Sequence, residues 1–207
     1  GAAADIVGGS HSVVMGNSYN GSSRGAFRMD STTLDGVALT KYNVYVGNFT
    51  AGDMFVSNPL TTSPSGNVLV GNYVTDLELA GSAHVVTGNN AFQLQVPNNT
   101  AGTDDPAISK SSISGNYAYK AGDPTSTIFN GTRKQLAMFE SAFTGNVIEQ
   151  YSMLTTPRKE GSEDGTFEVD QLGINSISGN VFGDRVGILM ERSSITGNIC
   201  SAERVRF

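Results

Sequence analysis

Asn175-Ser176-Ile177-Ser178-Gly179-Asn180-Val181 and Ser193-Ser194-Ile195-Thr196-Gly197-Asn198-Ile199 are two copies of one pattern. A small polar residue is followed by three residues with an apolar one at their centre, then by Gly-Asn and a further apolar residue. Aligned on Gly-Asn, the chain holds eight copies, at Asn17, Asn48, Asn72, Asn89, Asn116, Asn146, Asn180 and Asn198. Two residues before each Gly stands an apolar side chain: Val14, Tyr45, Leu69, Val86, Ile113, Phe143, Ile177 or Ile195. Strand side chains alternate between faces, so this residue is expected to point inward and its two neighbours outward. Gly permits the bend that follows, and Asn takes up left-handed dihedrals or bonds the backbone there.

Successive Asn residues are separated by 31, 24, 17, 27, 30, 34 and 18 residues. A helical repeat tolerates little change of period, whereas a coil of short strands extrudes a loop at any corner. The spacing therefore predicts an all-β, single-stranded right-handed parallel β-helix of about eight coils, with residues 1–207 as one domain and a fragment of a longer chain. Stacked coils place each Asn over the last, and such ladders of side-chain amides stabilise stacked sheets. Four residues before each Gly stands Ser12, Asn43, Asn67, His84, Ser111, Ser141, Asn175 or Ser193, which opens the strand at the opposite corner. The apolar residue that usually follows the Asn (Phe49, Tyr73, Tyr117, Val147, Val181 or Ile199) is expected to return the chain to the core. The longest insertions, residues 57–66, 97–107, 120–134 and 153–165, are expected to leave the coils as loops. Sequons occur at Asn20, Asn48, Asn98 and Asn130, but Asn48 belongs to the ladder.

Composition narrows the function. Charged residues make up 15% of the chain and the net charge is −6, which excludes nucleic acid as the main partner because phosphate binding needs a basic surface. No apolar run is long enough to cross a bilayer, so no membrane insertion is expected. A single Cys and two His leave no Cys/His zinc set, and the Gly-Gly-x-Gly-x-Asp calcium loop is missing. Neither metal nor cofactor is expected.

With the apolar-x-Gly-Asn repeat in view, nearly the whole chain resembles the pectate-lyase-like right-handed parallel β-helix superfamily. Among its members it is similar to bacteriophage tailspike or receptor-binding proteins in being acidic, loop-bearing and rich in Ser, Thr, Gly and Asn. The resemblance implies a virion tail appendage or another extracellular setting, a homotrimer, and a cell-surface polysaccharide as ligand. Members act as polysaccharide lyases, glycosidases, epimerases or non-enzymatic adhesins. No catalytic motif of the family can be laid over this sequence, so the chemistry must be argued from its own residues.

The best paired carboxylates are Asp76 and Glu78 in Tyr73-Val74-Thr75-Asp76-Leu77-Glu78-Leu79. With Thr75, Leu77 and Leu79 inward, they stand side by side outside, Cα atoms about 6.6 Å apart, a separation that suits either glycosidase geometry. Counting from the ladder Asn, Gln93 and Gln95 fall beside them on the next coil, and Lys120, Gln150 and Asp184 lie at the same offset as Asp76. Asp76 and Glu78 are the catalytic candidates, and Gln93, Gln95 and Lys120 the substrate-binding ones. The plainer account of the same alternation is a solvated sheet face. Three readings follow: a polysaccharide-binding tailspike-like segment, a glycan-cleaving enzyme, and a purely structural shaft.

One change runs along the repeat. Immediately before Gly the first three copies carry Met15, Val46 and Val70, and the last five carry Thr87, Ser114, Thr144, Ser178 and Thr196. Joined by Val13, Val44 and Val68, the early residues form an outward apolar patch of the kind that marks an interface. Its expected cover is a neighbouring chain, a loop, or the segment Ala4 to Val7.

Overall fold

The computed structural model describes residues 4–5, 11–19, 27–29, 33–34, 37–38, 41–52, 54–56, 65–95, 108–122, 136–155, 174–189, 193–201 and 205–206. Among these there is no helix, and every strand pairing is parallel except Thr33–Leu34 with Val37–Ala38. Sequons Asn20, Asn98 and Asn130 lie outside the described residues, as do most of the four insertions. Two of those insertions begin later than expected, since Lys120 and Ala121 complete strand Tyr117–Ala121, and Met153 to Thr155 complete strand Val147–Thr155.

The eight copies of the repeat supply eight three-residue strands: Val13–Met15, Val44–Val46, Val68–Val70, Val85–Thr87, Ser112–Ser114, Ala142–Thr144, Ser176–Ser178 and Ser194–Thr196. They form one parallel sheet in chain order. The register is constant, with central residue on central residue from Val14 and Tyr45 to Ile177 and Ile195. The centres from Tyr45 to Ile177 are at most 1% exposed and their neighbours half-buried or exposed, as alternation requires. At the two ends the inward residue has a strand on one side only, so Val14 is half-buried and Ile195 is 38% exposed.

A second, sixteen-stranded sheet carries the longer strands, among them Tyr73–Leu79, Asn90–Gln95, Tyr117–Ala121, Val147–Thr155 and Arg185–Leu189. Its inner columns are in register too: Val74, Ala91, Ala118, Ile148 and Phe182 in one, Leu77, Leu94, Ala121, Ser152 and Val186 in another. These residues, except Ser152, join Tyr45, Leu69, Ile113 and Phe143 in one hydrophobic cluster, so the core lies between the inner faces of the two sheets.

The expected Asn ladder is present, and its hydrogen bonding is complete. Asn48 donates from its backbone N (3.0 Å) and from Nδ2 (2.9 Å) to Oδ1 of Asn72, and Nδ2 also donates to the Val14 carbonyl (3.0 Å). The same bonds recur from Asn72 to Asn89, Asn116, Asn146, Asn180 and Asn198. Each interior amide thus uses both Nδ2 hydrogens and both Oδ1 lone pairs. The glycine before each Asn has φ between +60° and +65°. Seven of these eight would present an added Cβ with nothing within 4 Å, so the dihedral alone calls for glycine.

The opposite corner carries a second ladder. The backbone N of Ser12, Asn43, Asn67, His84, Ser111 and Ser141 donates in turn to Asn43, Asn67, His84, Ser111, Ser141 and Asn175 side chains. The preceding residue is again left-handed, at His11, Tyr42, Gly66, Ala83, Lys110 and Glu140. Five of these are not glycine and bear the associated cost of roughly 1–2 kcal/mol each. Gly66 is glycine for a further reason: a Cβ there would collide with the Tyr42 ring.

Asn146 is fully buried between two rungs, whereas Asn198 has a rung on one side only. Each buried group left without a partner costs about 1–3 kcal/mol. Asn146→Ala is expected to lower unfolding stability by about 3 kcal/mol or more, and Asn198→Ala by about 1 kcal/mol. Equal denaturation midpoints for the two variants would contradict the ladder's role.

Candidate functional site

The ladder Asn side chains point inward, so alternation turns the next residue outward. Phe49, Tyr73, Asn90, Tyr117, Val147, Val181 and Ile199 are exposed, and the residues after them, from Thr50 and Val74 to Phe182, are buried. This corrects the expectation that the residue after Asn re-enters the core. That expectation treated Asn as part of the turn, whereas its amide occupies an inward position of its own. Aromatic side chains are thereby placed on the outer face of the long sheet. Phe49 and Tyr73 stack at 5.1 Å between ring centres, with planes 19° apart. Two residues further along, Phe92 stacks on Tyr119 at 4.9 Å, and the Lys120 ammonium lies 5.8 Å from the Phe92 ring centre. The Tyr117 hydroxyl donates to Glu149, and that bond raises the phenol's pKa above its usual value.

Beside this aromatic surface run the polar residues picked out from sequence. Asp76, Gln93 and Lys120 are directly in register on adjacent strands, as are Glu78 and Gln95. The next positions in the Asp76 column are Tyr151 and Arg185, one residue beyond the expected Gln150 and Asp184. An irregularity between Ala118 and Lys120 shifts the register there. Inward and outward positions also differ from expectation. Val74 points in, Thr75 and Asp76 are both half-buried, and the Thr75 hydroxyl donates to the Ala51 carbonyl at 2.8 Å. Gln93 and Gln95 are 8% and 1% exposed, so neither presents its amide to solvent. Gln95 Nε2 instead donates to Glu78 Oε1 at 2.8 Å. The pair Glu78 and Gln95 braces two strands, and the surface available to a ligand is formed by Phe92, Tyr117, Tyr119 and Lys120 with the exposed Asn90.

An open depression of about 550 Å³ lies at the opposite corner, lined by Ala83, Lys110, Ser112, Glu140, Ile174 and Ser176 with His84 at its base. Lys110 and Glu140 face each other there at 3.8 Å. Among the described residues no three His, Cys, Asp or Glu side chains gather as a metal site would need. No family model, curated protein or solved structure matches the chain.

His84 is a rung of the second ladder. Its Nδ1 accepts from the Asn67 backbone N–H at 3.2 Å, which places the proton on Nε2, 3.1 Å from the Ala80 carbonyl. Burial lowers its pKa below the ordinary value, and a second proton would turn the Nδ1 acceptor into a donor facing a donor. An unfolded His takes up a proton near pH 6.5, so below that pH the unfolded chain binds a proton that the fold refuses. Stability is expected to be full above about pH 7 and to fall toward pH 5.5 with a contribution of up to about 1.4 kcal/mol per pH unit. His84→Asn, the residue type found at neighbouring rungs, is expected to remove this contribution. Urea titrations of both proteins at pH 7.5 and 5.5 test it, and identical pH slopes would refute it.

Proposed function

We propose that this chain is a right-handed parallel β-helix of about eight coils, from a tailspike-like or other extracellular fibre, that binds a host-surface polysaccharide as a homotrimer. The observation that carries the reading is the outward aromatic surface of the long sheet, where Phe49, Tyr73, Phe92 and Tyr117 are each 41–50% exposed. Aromatic rings offer apolar faces to the C–H faces of sugars, and the neighbouring Asn90 and Lys120 supply hydrogen bonds to hydroxyls. Retention without cleavage is the reading favoured here, since Asp76 and Glu78 are half-buried and Glu78 is engaged by Gln95. Incubation with bacterial surface polysaccharides is expected to show co-sedimentation without new reducing ends or unsaturated products. Reducing ends lost on Asp76→Asn or Glu78→Gln would establish a hydrolase instead, unsaturated products a lyase, and no retention of any glycan would leave the structural shaft.

Oligomerisation is supported by the outer face of the eight-stranded sheet. Val13 and Met15 are 67% and 68% exposed and Val85 is 40% exposed, with half-buried Val44, Val46, Val68 and Val70 between them. Ala4–Asp5 pairs with Phe27–Met29 in the other sheet, so those two residues are not the cover, and a second copy is the occupant favoured by the size of the patch. Light scattering is expected to give a trimer, and the double variant Val46→Thr, Val70→Thr to weaken assembly without unfolding. A wild-type monomer at micromolar concentration would overturn this part of the reading.

A further inference from the structure

Phe49, Tyr73, Asn90 and Tyr117 occupy one column on successive strands, each in register with the next. Three are aromatic and exposed, and the fourth is a short exposed amide, so between Phe49 and Tyr117 the column lacks one ring. Its neighbours are held away from that position. Tyr73 stacks on Phe49, the rung before it, and Tyr117 is tied through its hydroxyl to Glu149, on the rung after it. Phe92 stands two residues along the strand from Asn90 and stacks on Tyr119, so it borders the gap without entering it.

Parallel strands lie about 4.8 Å apart, so the backbones bearing Tyr73 and Tyr117 are separated by roughly 9.6 Å. A flat aromatic ring in van der Waals contact on both faces needs about 7 Å. A chair-shaped pyranose, with axial C–H groups on both faces, needs roughly 8–9 Å. The width therefore admits a pyranose, and it would equally take a ring at the roughly 5 Å spacing of the existing stacks. At the floor, the Asn90 amide offers both a donor and an acceptor to ring hydroxyls. With Phe92 bordering one end of it, the gap suits the last sugar of a chain or a branch rather than an internal one.

We propose that the missing rung at Asn90 is a single-sugar subsite, in which a terminal or branch pyranose inserts between the Tyr73 and Tyr117 rings with its hydroxyls on the Asn90 amide. This rests on the polysaccharide-binding reading and names the place and the part of the ligand. The decisive variant is Asn90→Tyr, which supplies the absent ring. Its thermal midpoint is expected to equal or exceed that of the wild type, because it continues an existing stack, while retention of the polysaccharide falls at least tenfold. Asn90→Ala keeps the gap and loses the amide, and is expected to weaken retention less. A methyl pyranoside of the sugar at the chain end is expected to compete with the polysaccharide on the wild type. If the wild type retains a polysaccharide and Asn90→Tyr, folded, retains it equally, the subsite is refuted while the functional reading stands. If the wild type retains none, the functional reading itself has failed.

Discussion

Everything in this molecule is referred to the hydrogen bonds between stacked Asn side chains. A buried primary amide has two donors and two acceptor sites, and leaving any of them empty costs about 1–3 kcal/mol. From Asn48 to Asn180 all four are filled, three by neighbouring rungs of the column and one by a strand carbonyl. Such an arrangement admits one register only. A strand displaced by one residue would bury Gly or an outward side chain where the amide belongs and would strand the amides on either side. The column consequently fixes which residue of every copy faces the core, and the apolar column from Tyr45 to Ile177 follows from it.

The two corners solve the same backbone problem in different ways. Both require a left-handed residue before the inward polar one. At the first corner that residue is glycine in every copy, and at the second it is most often not. The polar partner varies correspondingly, since Asn, Ser and His84 all serve as acceptors for a backbone N–H at the second corner, whereas the first corner also demands an Nδ2 donor that only an amide supplies. The stricter chemistry explains why Gly-Asn is invariant along the chain and why the other corner is not.

The strict corner is also what sequence can reveal. The eight short strands, their inward residues and the amide column were all readable from Gly-Asn and the apolar residue two before it, because a constraint repeated eight times leaves a visible signature. The outward aromatic surface was not readable in the same way. Phe49 and Tyr73 follow Asn in the positions where later copies carry Val and Ile, and apolar character alone suggested burial. Only the inward position of Asn, a fact about side-chain direction, reverses that assignment. Gln93 and Gln95 fail for a related reason: counting by two from an inward Asn89 puts both inside, where they are found, but their direction was taken from Asp76 and Glu78, which lie beyond the break at Thr75 and Asp76, where two consecutive residues are half-buried. Asp76, Gln93 and Lys120 were nonetheless placed together correctly, because register from Asn holds until the irregularity after Ala118.

That irregularity exposes a property of the amide column with evolutionary weight. The displaced residues Tyr151 and Arg185 pair with each other, yet Asn146, Asn180 and Asn198 remain aligned with the rungs before them. Each rung works as a frame marker that restarts the count, so a gained or lost residue alters only the stretch before the next marker. Insertions and deletions, ordinarily among the most damaging changes to a β-sheet, become local events. A chain built this way can exchange whole surface segments while its interior stays constant.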